Sequence, residues 1–245
     1  MSTRPSVPPP PARSLPVAAV EAVGAYTLLR LHDDGADPGV PGQFFMLRAE
    51  PAPDSAYLPR AVSAAWAGDG ELVFLLDVRG EGTRALAHAR SVAVVGPLGQ
   101  GFRTPPGDAI LVGGGIGAAI LPWLRRRLAP HGRVRTVLGF RTPAHAVCAG
   151  LVDPDAAVAI EPTLVTEPLA RLLPARATVY ACGPDRMLQA VAALCAEHDV
   201  PCQLAMEAAM ACGFGACYGC AVRIDGVWKR LCVEGPVVEA ARVLA

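Results

Sequence analysis

The sequence has no excess of either charge and no long apolar segment. Its lysines and arginines equal its aspartates and glutamates in number, so the formal net charge is +0. This balance argues against a nucleic-acid partner, because nucleic-acid-binding proteins normally carry a basic excess. The longest apolar runs, such as 92–95 and 109–112, fall far short of the roughly 20 residues that span a bilayer. We therefore expect neither nucleic acid nor a membrane among the partners.

The usual groupings of catalytic side chains are also missing. The sequence contains no Ser/His/Asp grouping and no paired carboxylates, so we assign no catalytic residue. The histidines are scattered, and we interpret them as structural or surface residues: His32, His88, His131, His145 and His198. No signal-peptide pattern is present, which predicts a cytoplasmic protein whose thiols stay reduced.

A group of cysteines near the C-terminus has the most specific pattern in the chain. Cys212, Cys217 and Cys220 are spaced C-x4-C-x2-C, and Cys232 follows after a short segment. This spacing with a distal fourth thiolate is the plant-type signature of a [2Fe-2S] cluster. The glycines between the cysteines allow the positive φ angles and close amide approach that a loop around a cluster needs. We interpret the four cysteines as ligands of such a cluster.

Two other interpretations of these cysteines stay open at this point. Disulfides are disfavoured by a reducing compartment. A structural zinc site usually has paired CxxC knuckles, and here only Cys217 and Cys220 form one. The other four cysteines show no ligand spacing, and three of them, Cys148, Cys195 and Cys202, are expected to be buried free thiols. Cys182 belongs to a separate motif with Gly183 and Pro184.

The chain is long enough for two compact domains and a small appendage, and the pattern predicts an α+β multidomain protein. Residues 1–15 are rich in proline and predict a disordered tail. Residues 16–103 contain short strands separated by Gly and Pro, which predict an antiparallel β-barrel. Residues 104–200 alternate strands and helices, as in a parallel α/β domain. Residues 201–245 hold the cysteine loop, followed by a hairpin.

Two glycine motifs follow predicted strands of the α/β segment. Gly113–Gly117 separates a buried-type strand from a helix that we expect to continue to about Leu128. Cys182-Gly183-Pro184 joins a strand to the helix at 185–198. The carboxyl ends of parallel strands are where open α/β sheets bind ligands, and glycines there let backbone amides approach a phosphate. The acidic residue that often binds the ribose at the end of the second strand is missing. In isolation, each motif could equally be a tight turn.

The order of these motifs resembles that of the electron-transfer subunits of NAD-dependent dihydroorotate dehydrogenases, in the ferredoxin-reductase-like flavoprotein superfamily. The resemblance extends from about Val17 to the C-terminus, and the cysteine loop and Gly96–Phe102 are its most specific parts. It implies an FAD-binding barrel, an NAD-binding domain and a C-terminal [2Fe-2S] domain. Ala61, Leu76 and Pro122 depart from the family pattern, which usually has proline, an aromatic residue and an earlier proline near these positions.

The resemblance also implies binding residues that look ordinary on their own. The implied FAD-binding residues are Arg60, Ala61, Val62, Ser63, Leu75, Leu76, Asp77, Gly82 and Thr83. Among them, Arg60 would meet the pyrophosphate and Ser63 would hydrogen-bond the flavin ring. The implied nicotinamide-nucleotide residues are Gly113, Gly114, Gly115, Gly117, Cys182, Gly183 and Pro184.

The activity implied by the resemblance is an electron relay in pyrimidine biosynthesis. Electrons would pass from dihydroorotate through the FMN of a separate catalytic subunit, then through the [2Fe-2S] cluster and FAD to NAD. The implied assembly is a hetero-oligomer with two copies of each subunit. The same module serving a hydrogenase or a ferredoxin:NADP oxidoreductase, a non-redox zinc module, and a chain with an empty FAD site are the alternatives.

Overall fold

The computed structural model of the chain describes residues 11–34, 37–53, 56–174 and 176–243. Its strands are β1 (Arg13–Val23), β2 (Tyr26–His32), β3 (Phe44–Glu50), β4 (Arg60–Ser63), β5 (Trp66–Gly68), β6 (Glu71–Leu76), β7 (Ser91–Leu98), β8 (Asp108–Gly114), β9 (Val134–Phe140), β10 (Ala157–Ile160), β11 (Ala177–Cys182), β12 (Cys202–Ala205), β13 (Ala221–Ile224), β14 (Val227–Arg230) and β15 (Val237–Glu239). Its α-helices are α1 (Glu81–Ala87), α2 (Leu121–Leu128), α3 (Pro143–Ala146), α4 (Ala149–Val152), α5 (Thr166–Ala170), α6 (Asp185–Glu197) and α7 (Leu231–Glu234). Short 3-10 helices occur at Gly115–Ile120, Ala129–His131 and Ala240–Arg242. None of the helices in these ranges is long and apolar enough to cross a membrane.

The first part of the chain forms a seven-stranded antiparallel sheet in the order β4-β3-β7-β1-β2-β6-β5. The long strand β1 pairs with β7 through its first residues and with β2 through its later ones. A register shift between Val17 and Ala19 marks where β1 bends from one partner to the other. The sequence predicted a barrel. The described strands form an antiparallel half-barrel sheet, in which β4 at one edge lies against β6 without a hydrogen-bonded ladder.

The second sheet has six strands in the order β10-β9-β8-β11-β12-β15, and all neighbours are parallel except the pair β12–β15. Its central strand β8 is buried on both faces: Leu111 packs in one apolar cluster, and Ile110 and Val112 pack in another. Helix α2 covers the first face and α6 covers the second. Because β8 is buried on both faces, its sequence is a continuous apolar run rather than an alternation of apolar and polar residues.

Three boundaries differ from the sequence predictions. The tail predicted for 1–15 lies largely outside the described residues, but Arg13–Leu15 pair with β7 and belong to a strand. The helix predicted directly after Gly113–Gly117 begins as a 3-10 helix, and α2 starts only at Leu121, with Pro122 in its first turn, where proline fits well. The last segment is not separate at residue 201, because β12 and β15 extend the six-stranded sheet.

A buried carboxylate connects three elements beside this sheet. Asp153, at the end of α4, accepts a hydrogen bond of 2.7 Å from Thr136 Oγ1 on β9 and one of 3.1 Å from the Asp155 N–H. Arg125 Nε on α2 lies 2.9 Å from Asp153 Oδ2 as an ion pair, without an aligned hydrogen bond. Burial by itself would raise the pKa of Asp153, but these donors and the arginine charge outweigh it and lower the pKa.

We expect Asp153→Asn to lower the free energy of unfolding by about 2 kcal/mol at neutral pH, because a charged, buried hydrogen-bond acceptor is lost. The lowered pKa means that the stabilisation is complete above the unfolded-state pKa of about 4 and is lost as the pH falls through the folded-state pKa. Urea unfolding from pH 7 downward should therefore show the two proteins converging. Asp225→Asn, which breaks an exposed pair with Arg242, is the control and should cost under about 1 kcal/mol. A pH-independent difference for Asp153→Asn would contradict this account.

Candidate functional site

Two cavities meet where the strand order of the second sheet reverses, between β8 and β11. The carboxyl ends of both strands point to this place, because Gly113 pairs with Cys182 in parallel register. The turn after β8 then presses directly against the end of β11. A Cβ added to Gly117 would lie 2.6 Å from the Cys182 carbonyl carbon and from the Gly183 nitrogen. Only glycine fits at this position.

The first cavity lies between the antiparallel sheet and the turn after β8, and its volume is about 290 Å³. It is lined by Phe44, Ala61, Val62, Ser63, Leu75, Leu76, Asp77, Thr83, Ile116, Gly117, Ala119, Ile120, Cys182, Ala205, Met206, Glu207, Ala208, Met210 and Pro236. The structure thus brings most of the sequence-predicted FAD residues to one cavity. Its walls are largely apolar, and Ser63 and Asp77 supply polar groups, which suits a flat ring with a polar edge.

Arg60 and Gly82 lie outside this cavity. The Arg60 side chain covers the first turn of α1, where a Cβ added to Gly82 would come within 2.6 Å of Arg60 Cζ. Arg60 Nη1 donates a hydrogen bond of 2.6 Å to the Leu58 carbonyl. The segment Gly80–Thr83, an ordinary turn by sequence, is the start of a helix. The Thr83 hydroxyl donates to the Gly80 carbonyl at 3.0 Å and so closes its first turn.

The second cavity is on the other side of the Gly117 turn and has a volume of about 440 Å³. It is lined by Tyr26, Arg79, Gly114, Gly115, Ile116, Gly117, Gly139, Phe140, Arg141, His145, Glu161, Thr163, Leu164, Val165, Pro184, Met187 and Glu207. Three predicted nucleotide residues do not line it: Cys182, which lines the first cavity instead, Gly113 and Gly183. A Cβ on Gly113 would meet Leu138 Cδ2 at 2.8 Å, and one on Gly183 would meet Met187 Cε at 2.5 Å, so both glycines serve close packing behind the cavity wall.

The second cavity carries charged groups of both signs, with Arg79, Arg141, Glu161 and Glu207 in its lining. The guanidinium groups of Arg79 and Arg141 supply positive charge suited to phosphates. The ring of Tyr26 packs edge-on against His145, with 5.3 Å between ring centroids. Burial, followed by the nearby Cys148 and Asp77, raises the pKa of Tyr26 to about 12. The phenol therefore stays protonated and can donate a hydrogen bond at neutral pH.

Glu207 lines both cavities, and no motif in the sequence indicated it. It follows β12, and the short segment 206–210 forms part of the wall of the first cavity. Its side chain faces open cavity space, but the surrounding walls reduce its hydration and raise its pKa. Repulsion from Asp185 acts in the same direction, and attraction to Arg79 opposes it. Glu207 could have been placed at this edge from the sequence if residues 202–205 had been identified as a strand of the parallel sheet.

Cys182 lines the first cavity at the end of β11 and is almost completely buried. Burial, and then the nearby Glu207 carboxylate, raise the pKa of this thiol. A protonated thiol is a poor nucleophile, so Cys182 contributes shape and packing to the cavity rather than covalent chemistry.

The cysteine loop begins two residues after Met210, a residue of the first cavity, and so starts within about 7 Å of it along the chain. The thiols of this loop lie near one another: the Cys212 thiol interacts with Cys217, and the Cys232 thiol interacts with Cys220 and Cys212. Among the residues that the structure describes, no three Cys, His, Asp or Glu side chains converge as a single metal ion would require.

Backbone amides point at these sulfurs. Gly219 N–H donates to Cys217 Sγ at 3.4 Å, and Cys232 N–H donates to Cys220 Sγ at 3.5 Å. Burial raises the pKa of Cys212, but amides of the loop and the Cys217 thiol outweigh it and bring the pKa to about 7. Burial beside the other sulfurs raises the pKa of Cys232 to about 12. Thiol donors with amide hydrogen bonds fit an iron–sulfur cluster.

The fold is similar to solved structures of flavin-dependent reductases. A structure described in a study of flavin-based electron bifurcation by an NADH-dependent reduced ferredoxin-NADP oxidoreductase superposes with a TM-score of 0.77 at 23% identity and covers 93% of this chain and 88% of that chain. A ferredoxin reductase of carbazole 1,9a-dioxygenase superposes with a TM-score of 0.65 at 23% identity, over 80% of this chain and 68% of that one. The chain thus has a ferredoxin-reductase-like fold, to which the cysteine loop adds a candidate iron–sulfur centre.

Sequence comparison gives the family. Residues 207–244 match the model of the iron-sulfur cluster binding domain of dihydroorotate dehydrogenase B. The "Dihydroorotate dehydrogenase B (NAD(+)), electron transfer subunit" of Desulforamulus reducens is 35% identical over 93% of this chain and 96% of its own length. The subunit of the same name from Caldanaerobacter subterraneus subsp. tengcongensis is 33% identical over 83% of this chain and 87% of its own. The chain belongs to the family of dihydroorotate dehydrogenase B electron transfer subunits, as its motifs predicted.

We expect Cys217→Ser to remove most of the iron and labile sulfide from the purified protein and to leave most of its flavin bound, because Cys217 lies outside both cavities. Iron, sulfide and released flavin per chain measure this directly. The matched control is Cys195→Ser, a buried cysteine outside the loop, which should keep both. Simultaneous loss of iron and flavin from Cys217→Ser would show that the two sites are not separate.

Proposed function

We propose that this chain carries electrons between NAD and a partner subunit that oxidises dihydroorotate. One observation carries the proposal: the two cavities share the wall formed by Ile116, Gly117 and Glu207, and Met210 of the first cavity precedes Cys212 of the cysteine loop by two residues. The three candidate sites are therefore neighbours. FAD, when bound, exchanges hydride with a nicotinamide and single electrons with a [2Fe-2S] cluster, so it belongs in the middle site.

In this proposal the first cavity holds the flavin, with the Ser63 hydroxyl at the ring edge and Leu75 and Leu76 against it. The second cavity holds NAD, with Gly114 and Gly115 close to the phosphates. The four loop cysteines hold the cluster. The roles of Arg60 and Gly82 toward the FAD phosphates are part of the same proposal, and the packing of Arg60 over the first turn of α1 supports a phosphate there.

The finer domain layout is also proposed. An FAD domain covers 16–103, with its true start near Arg13, and an NAD domain covers 104–200. The iron–sulfur domain of 201–245 shares β12 and β15 with the NAD domain. Free thiols at the four cysteines outside the loop, Cys148, Cys182, Cys195 and Cys202, suit a reducing compartment, so we place the protein in the cytoplasm.

The partner in this proposal is an FMN-containing catalytic subunit, assembled with this chain two-to-two. The cysteine loop and the β13–β14 hairpin offer it an apolar surface, which we call the loop surface: Tyr218, Val227 and Trp228 are large side chains that are 50%, 44% and 64% exposed. Cys217 is exposed on the same loop. Clustered exposed aromatic side chains mark protein interfaces. An electron can thus reach the cluster from outside.

The function is tested by mixing the purified chain with the catalytic subunit and following dihydroorotate-dependent NAD reduction. The mixture should be active, and this chain alone should not oxidise dihydroorotate, because no substrate base or FMN site is assigned in it. Activity of the chain alone would refute the division of roles. NADH-dependent ferredoxin reduction without any dihydroorotate activity in the mixture would favour the ferredoxin oxidoreductase alternative.

Glu207 should matter for hydride exchange but not for flavin retention. A carboxylate at the junction of the cavities can accept a hydrogen bond from a nicotinamide carboxamide, and Glu207→Gln weakens that acceptor. We expect the reduction of bound flavin by NADH, followed by stopped flow, to slow roughly tenfold, which corresponds to about 1.4 kcal/mol. Glu197→Gln, on the exposed end of α6, is the control. An unchanged rate in Glu207→Gln would remove this residue from the site.

The loop surface should contribute to partner binding. We expect Trp228→Glu to weaken the affinity for the catalytic subunit by roughly tenfold or more, because buried interface tryptophans carry much of the binding free energy. Flavin and iron contents should stay unchanged. Isothermal titration calorimetry measures this affinity. Val158→Glu is the control, because Val158 is an exposed apolar residue on the edge strand β10. The comparison separates the contribution of the loop surface from general effects of added charge. Equal affinities for both variants would place the partner elsewhere.

A further inference from the structure

Arg230 is a buried charge beside the cysteine loop. It is the last residue of β14, and its side chain is only 7% exposed. Buried arginines are rare and costly unless they are paired. Here the Arg230 Nη2 atom lies 3.3 Å from Glu234 Oε1, and the backbone N–H of Arg230 donates a hydrogen bond of 2.8 Å to Glu234 Oε2. Glu234 is 10% exposed, so the whole pair is shielded from water.

The guanidinium of Arg230 holds one peptide of the loop. Its Nη1 donates a hydrogen bond of 3.1 Å to the Gly215 carbonyl. Gly215 has φ +88, and an added Cβ would lie 2.7 Å from Val233 Cγ2 and 3.2 Å from Arg230 Nη1. The hydrogen bond from Arg230 therefore fixes the peptide that follows Gly215, in the turn between Cys212 and Cys217.

The same guanidinium also contacts the second half of the loop. Its carbon lies 4.9 Å from the centre of the Tyr218 ring, a cation–π distance. Tyr218 stands between Cys217 and Cys220 and has φ +58, a conformation that side chains rarely adopt. Arg230 thus touches the loop on both sides of Cys217.

A fixed positive charge at this place has an electrostatic consequence. An iron–sulfur cluster with four thiolates is anionic, and it gains one more negative charge when it accepts one electron without a proton. A cation in a low-dielectric surrounding stabilises the more negative form more strongly. Charge and hydrogen bonds to the sulfurs are the terms that set cluster potentials.

We propose that Arg230, held by Glu234, is the positioning residue of the cysteine loop: it fixes the Gly215 carbonyl and the Tyr218 ring on either side of Cys217 and raises the reduction potential of the cluster. This inference rests on the proposed function, because it requires a cluster in the loop. The Glu234 carboxylate partly neutralises the Arg230 charge and so reduces its effect on the potential of the cluster. The two residues of the pair therefore affect the potential in opposite directions.

The test is a redox titration of the anaerobically purified protein, monitored by electron paramagnetic resonance, with iron and sulfide analysis of each sample. Arg230→Met should shift the midpoint potential to more negative values and lower the iron content. Glu234→Gln should shift the potential to more positive values, because the arginine charge is no longer neutralised. A tenfold change in the equilibrium constant of a one-electron reduction corresponds to about 59 mV in midpoint potential. We expect shifts of about that size.

Two further variants separate charge from geometry. Arg230→Lys keeps the charge but not the planar fork, so its potential should stay near that of the wild type while its resonance signal changes shape. Arg242→Met, which breaks an exposed pair with Asp225 in the same segment, should change nothing.

A purely structural role predicts the same direction of shift, or no shift, for Arg230→Met and Glu234→Gln, and either result would overturn the proposal. If Arg230→Met loses the cluster altogether, a positive shift in Glu234→Gln supports the proposal and its absence overturns it. Wild-type protein without iron and sulfide would instead refute the proposed function itself.

Discussion

The close approach of Gly117 to the end of β11 is the constraint on which the rest of the site depends. An added Cβ there would lie 2.6 Å from the backbone of Cys182 and Gly183, and backbone cannot move aside as a flexible side chain can. The turn after β8 is therefore thin enough for a cavity on each side. A larger residue would push β8 and β11 apart at the point where the strand order reverses. The first and second cavities would then lose their common wall.

The cysteine loop is held in place by the same sheet. The chain leaves the sheet at the end of β12 and returns to it as β15, so the loop and its hairpin are an excursion between neighbouring strands. The base of the excursion is closed by a hydrogen bond of 3.0 Å from Met206 N–H to the Pro236 carbonyl. Cys220 and Cys232 are buried in the apolar cluster that also contains Phe44 and Met46 of the first sheet. The loop cannot move relative to the first cavity without breaking this shared core.

The sequence predicted the individual strands and helices better than it predicted which strands pair with one another. Hydrophobic runs and glycine punctuation predicted the strand before Gly113 and the helix α6 almost to the residue, because those signals are local. The pairing of β12 and β15 depends on contacts between distant residues, and it went unseen. Glu207 was missed for the same reason, since its position at the sheet edge follows from β12. The iron–sulfur binding segment was predictable because its cysteines have one particular spacing.

Charge has a different role here from apolar packing. Exposed pairs such as Arg242–Asp225 are worth at most about 1 kcal/mol and do not decide the fold. The buried pairs at Asp153 and Arg230 each connect elements that packing alone leaves free to shift, because apolar contacts have no direction and hydrogen bonds do. Asp153 fixes α2 against β9, and Arg230 fixes the cysteine loop against the end of β14. Apolar burial thus builds the two sheets, and directed buried charges orient the elements attached to them.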